Sequence, residues 1–276
     1  MPVAGIGREE LAPTLAAHRG NEALRAALEA ATEPRRLLTV LGRYVQFNSA
    51  FGPGVANLAG EIAARQGLFR DPDEPVRILA DRAAEVGSDF FFAAIDEFDD
   101  RGTHWRDTHR TLAQATVKGA GAHFGLAPEE LNDVISINTA TERAMARVAE
   151  GYGIGERLSE RRLFEAMGFH VGSEVLADRE FNLIDEVLRT RHPALVADLS
   201  ARRVRILGAE HDAYYWVRIH TRVEAEHFEA ALKGANSALR FYAGESAVGS
   251  VRAFILDGFA RFASVQADFM AGLAEP

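Results

Sequence analysis

Apolar residues recur at intervals of three and four along nearly the whole chain, and no stretch sustains the strict alternation of a half-buried strand. This pattern predicts an all-α protein. Its helices fall at about 8–31, 34–50, 54–67, 74–101, 104–124, 136–150, 157–190 with an internal break, 208–236 and 246–272. Pro34 in TEPRR and Pro128 in LAPEEL each stand where a helix begins, since the ring presets φ and a first-turn N–H has no intrahelical acceptor. The stretches DRGT (100–103) and GYGIGE (151–156) are helix breaks. The small residues of VKGAGAHFG and ALKGANSAL permit close helix approach. The most apolar segment, VRAFILDGFARFASVQADFM, is expected to be a central packing helix. No repeat or linker divides the sequence, so a single compact helical bundle over 1–276 is expected, with its chemistry in about 35–236.

Composition narrows the chemistry. A chain of 276 residues that is 47% hydrophobic can bury a substantial core. The absence of cysteine removes thiolate metal sites, iron–sulfur clusters, disulfides and thiol nucleophiles together. A net charge of −9 with arginines scattered and only Lys118 and Lys233 as lysines argues against a nucleic-acid partner. The first twenty residues lack the apolar core of a signal peptide, and no run approaches the roughly 20 apolar residues of a membrane span. The expectation is a cytoplasmic protein with no membrane partner.

Buried charge is costly unless paired or metal-bound, so histidines and carboxylates on apolar helices are the informative residues. In YYWVRIHTRVEAEHFEAAL (214–232), a helical turn of about 100° per residue places His220, Glu224 and His227 within an arc of roughly 60°. Trp216 and Val217 precede them as an apolar wall. In FFFAAIDEFDDRGTHWRDTH, Glu97 precedes His104 by seven positions, on the same face if the helix continues; if DRGT breaks it, His109 is the alternate. Asp96, Asp99 and Asp100 read as a solvated acidic face. Glu174 lies among Met167, Phe169, Val171, Val175 and Leu176, with His170 one turn before it, whereas Asp178 and Glu180 beside Arg179 read as surface. Three histidines and three carboxylates from three segments suit iron or manganese in oxygen chemistry, and six ligands imply two ions.

These residues resemble the haem-oxygenase-like diiron oxidases and oxygenases, named for their fold and not for haem binding. The pattern there is a Glu followed by a His, a lone Glu on a later helix, then His-x3-Asp/Glu-x2-His. Here it is matched by Glu97 with His104 (or His109), Glu174, and His220, Glu224 and His227, over roughly residues 35–235. The lead-in YYWVRIH and the stretch LGRYVQFNSAFGPGVANLAGEIAARQG also look like the family's. The resemblance implies two Fe(II) ions with O2 as co-substrate, and oxidation of a C–H, N–H or C–C bond in a small organic acid or amine. A free aliphatic amino acid is the narrower expectation, through desaturation, cyclisation, N-oxygenation or C–C cleavage. Glu97, Glu174 and Glu224 would be the catalytic carboxylates that offset metal charge and shift coordination. The small-molecule substrate leaves room for an external electron donor and for a homodimer. Arg218, Arg222 and Lys233 are the nearest cations in sequence for a substrate carboxylate.

Other readings stay open. A ferritin-like protein would carry two Glu-x2-His motifs, and the chain matches one, Glu224 to His227. A haem-type or metal-free enzyme of similar fold would leave most of the ligands unexplained. A helical binding module would satisfy the same histidines and carboxylates as core pairs. GYGIGE follows a helix and not a strand, so it lacks the context of a nucleotide loop, and no nucleophile elbow appears.

Overall fold

The computed structural model describes residues 5–100, 102–103 and 106–275, apart from the side chains of Val223 and Glu224. In chain order the helices are α1 (Arg8–Ala17), α2 (Gly20–Ala30), α3 (Pro34–Phe47), α4 (Phe51–Ala63), α5 (Ala83–Phe98) and α6 (His109–His123). A turn of 3-10 helix, Asn48–Ala50, joins α3 to α4. There follow α7 (Pro128–Val134), α8 (Thr139–Tyr152), α9 (Glu160–Arg191), α10 (Pro193–Ala201), a hairpin of β1 (Arg203–Ile206) and β2 (Ala209–Asp212), then α11 (Tyr215–Phe241) and α12 (Val248–Gly272).

Local chemistry sets these boundaries. Thr108, Asn138 and Ser159 each accept a hydrogen bond from a first-turn backbone N–H, capping α6, α8 and α9. Pro34 and Pro128 open α3 and α7 as the sequence predicts. Gly153, in the left-handed region at φ 66°, ends α8 within GYGIGE.

Helix α9 occupies the centre and packs most extensively on α12 and α11. It runs without the expected internal break. Its glycines serve contact instead: a Cβ on Gly168 would lie 1.7 Å from the Ile255 carbonyl oxygen of α12, and one on Gly258 would lie 1.9 Å from that of Glu165. The two backbones therefore touch reciprocally, at positions where any larger residue would force them apart. Around this seam the core is aromatic, with Phe47 stacked on Phe269 at 4.1 Å and Phe169 edge-on to Phe262 at 5.0 Å.

Three expectations are corrected. The segment 8–31 is two helices, because the His18 ring turns inward to Gln266 Oε1 at 2.6 Å just before Gly20. Helix α5 starts at Ala83 and not near 74, because the preceding stretch is held as irregular structure by an Arg82–Asp71 ion pair and by the Arg70–Asp81 and Phe69–Tyr242 bridges. The hairpin replaces the start of the helix expected at 208, and its turn holds Leu207 and Gly208 at φ 50° and 86°. Among the described residues, no helix is long and apolar enough to cross a membrane.

Candidate metal centre

Glu97 stands in the last turn of α5 and His109 in the first turn of α6. The loop between them doubles back, closed by a hydrogen bond from Asp100 N to Asp107 O at 2.8 Å. His109 Nδ1 thereby comes to 3.1 Å from Glu97 Oε1, and its Nε2 to 3.3 Å from Asp100 Oδ2. From α11, the His220 ring approaches that of His109 at 4.5 Å between centroids. Glu97, His109 and His220 each offer one donor atom, and the three atoms lie within 4.8 Å of one another. His220 is held on two sides. It stacks on Phe181 at 4.1 Å, and its Nδ1–H donates to Trp216 O at 2.7 Å, which puts the ring's lone pair on Nε2.

A second group forms across α9 and α11. Glu174 Oε1 lies 3.2 Å from His170 Nδ1, and its Oε2 lies 3.5 Å from His227 Nδ1. Behind His227, Asp96 Oδ2 accepts from Nε2 at 3.0 Å. The same His170 Nδ1 also lies 3.1 Å from the Tyr152 hydroxyl and 3.3 Å from that of Ser173. A cavity of about 40 Å³ lies between the groups, with Glu97, His220, Glu174 and His227 on its wall. Glu180 lines it too, accepting from Tyr44 Oη at 2.7 Å and from Gln266 Nε2 at 2.7 Å.

The histidines differ in charge. Burial opposes protonation of His109, but the carboxylates of Glu97 and Asp100 outweigh it and push the group up to about 10. Burial, with the nearby His109 charge, holds His220 well below the ordinary histidine range. Burial also lowers His170, against the pull of Glu174. Burial raises the Glu180 carboxyl to about 7, against hydrogen bonds from Tyr44 and Gln266 that favour its anion.

Of the residues singled out from sequence, Glu97, Glu174, His220 and His227 reach the one cavity. His109, the alternate, is the histidine that meets Glu97; His104 and the Glu224 side chain lie outside the described residues. Helix α5 ends at Phe98, so the seven-residue spacing from Glu97 does not run along one helix. Glu180 is buried and not surface, because α9 turns that face toward Tyr44 and Gln266. The supposed acidic face also divides: Asp100 is buried against His109, Asp96 binds His227, and Asp99 pairs with Arg106. Arg218 and Lys233 are engaged elsewhere, with Asp212 and Asp89.

No protein-family model matches the chain, and no curated protein matches it. Among solved structures, it is similar to a CADD-like protein of unknown function from Nostoc punctiforme PCC 73102. The TM-score is 0.54 over 93% of this chain and 96% of that one, at 13% sequence identity. A second structure of that protein gives a TM-score of 0.46, also at 13% identity. Likeness at this identity concerns the fold, and on that ground the chain is an all-α helical bundle with a fold similar to that protein's.

Proposed function

We propose that the chain is an O2-dependent non-haem diiron oxidase or oxygenase acting on a small organic acid or amine. The observation that carries this reading is the convergence of imidazole and carboxylate groups from α5, α9 and α11 on one small cavity, with His109 of α6 against Glu97 and His220 beside it. The donors suit the group. His170 Nε2 is buried without a hydrogen-bond partner. Such a loss costs about 1–3 kcal/mol unless something else engages the atom. A mixed nitrogen and carboxylate oxygen set is what iron or manganese takes in oxygen chemistry.

Glu97, His109 and His220 would hold one ion; Glu174 and His227, with His170 beside them, would hold the other. Iron bound there would supply the activation of O2 that no side chain of this protein can provide. The chain's own contributions are positional and electrostatic. Asp96 accepts from His227 Nε2–H and fixes that ring's orientation. Trp216 O does the same for His220. Phe181 and Trp216, both buried, keep water from the His220 side. Glu180 holds a proton near neutral pH at a carboxyl already hydrogen-bonded by Tyr44, where it can be given up without opening the core.

Anaerobic titration with Fe(II), read by bound-iron assay and calorimetry, tests the reading. Two equivalents per chain are expected, followed by O2 consumption accelerated by one member of a panel of small acids and amines. No bound iron would favour a helical binding module whose histidines and carboxylates are core pairs.

A further inference from the structure

Beside the Glu97–His109–His220 group lies a second pocket of about 170 Å³, walled by α3, α4, α5, α6 and α11. At about 30 Å³ per water it has room for a molecule of several heavy atoms. Its wall is chemically two-ended. Glu97 and His220, which it shares with the 40 Å³ cavity, mark one end, and Val45, Phe98 and Trp216 give it an apolar lining. The other charged group on the wall is Arg110.

Arg110 is half-buried and unneutralised. Nη1 donates to Val45 O at 2.8 Å and Nη2 to Gln46 Oε1 at 3.0 Å, both neutral acceptors, and no carboxylate pairs with it among the described residues. Two of five N–H donors are thus used. Withdrawing a guanidinium this far from water without an anion is unfavourable, and a carboxylate is the partner its planar fork matches best.

An independent observation points the same way. Arg110 also borders a wider outer groove of about 670 Å³, shared with Lys118, Arg205 and apolar Val117, Leu131 and Ile135. No Asp or Glu lines that groove, in a chain whose net charge is −9. A cationic, partly apolar groove on an acidic protein attracts small amphipathic anions.

We infer that Arg110 anchors the carboxylate of a small aliphatic acid, whose apolar body lies along Val45, Phe98 and Trp216 toward the Glu97–His109–His220 end of the pocket. The inference rests on the proposed function for what happens at that end, but the anchoring itself is readable without iron. Metal-free protein is titrated with hexanoate and, in parallel, with hexanamide, followed by ligand-observed NMR. Hexanoate should bind at least tenfold more tightly than hexanamide. Arg110→Gln should lose that preference, Arg110→Lys should keep part of it, and both should take up Fe(II) as the unaltered chain does. Phenylglyoxal labelling of the unaltered chain reads the same contact without a variant: hexanoate should protect Arg110 and hexanamide should not. Equal binding of the two probes, undiminished hexanoate binding by Arg110→Gln, or unprotected Arg110 would overturn the assignment. Hexanoate binding without iron uptake would instead sink the diiron reading and leave the anchor standing.

Discussion

The two halves of the buried cluster use the same residue types and differ in the carboxylates that meet His109 and His170. In the Glu97 half, His109 is clasped between two carboxylates, Glu97 and Asp100, and is held as a cation. In the Glu174 half, His170 meets Glu174 and the hydroxyls of Tyr152 and Ser173 at one nitrogen, Nδ1, and burial keeps it uncharged. The lesson is that carboxylates at both ring nitrogens outweigh burial at His109, whereas one carboxylate does not at His170. Ligation at His109 must displace a proton, and ligation at His170 need not.

The largest expected effect separates the halves outright. His220→Ala should weaken one Fe(II) equivalent by more than about a hundredfold and leave the other, whereas His227→Ala should do the converse. Loss of both equivalents in either variant would show a single interdependent centre and dissolve the comparison.

Next in size is Glu180, which shares the cavity and could count as a third side. Its native carboxyl titrates near 7, above the ordinary 4.5, so between those values the folded protein keeps a proton that the unfolded chain has released. Stability contributed by the protonated form is present at low pH and lost as pH rises through about 7, up to about 3 kcal/mol in all. Glu180→Gln should remove this dependence: its Tm should gain on that of the unaltered metal-free protein as pH rises from 4.5 to 7, with both Fe(II) equivalents retained. A parallel pair of Tm curves would remove Glu180 from the electrostatics of the site.

The smallest effect sharpens one half alone. Asp96→Ala removes the acceptor that orients His227, and should weaken the second equivalent about tenfold while sparing the first. An equal loss at both would mean that Asp96 acts through overall charge.

Much of this was legible in the residues, for identifiable reasons. Periodicity of three and four marks buried helical faces, and it placed the bounds of α3, α9 and α12 closely. His220 and His227 share a face because α11 is continuous, so angle alone brought them together. The Glu97 partner was harder. Once α5 stops at Phe98, the return path depends on a loop closed by Asp100 and Asp107, which no helical angle describes. Asp100 and Glu180 were misjudged because burial of a carboxylate is set by what folds over it from afar, here His109 for one and Gln266 of α12 for the other. The hairpin escaped because four-residue strands are too short to raise a period of two above the helical background, and its Leu207–Gly208 turn lacks the usual Asn-Gly signature.

The backbone contact at Gly168 and Gly258 has one more implication. It lies within two turns of His170 and Glu174 on the same helix, so the register of those side chains is set by a partner that carries none of the candidate ligands. Shortening the protein from its C-terminal end should therefore empty the cavity of iron well before it erases helical content, and a chain trimmed for convenience would look folded yet be inert.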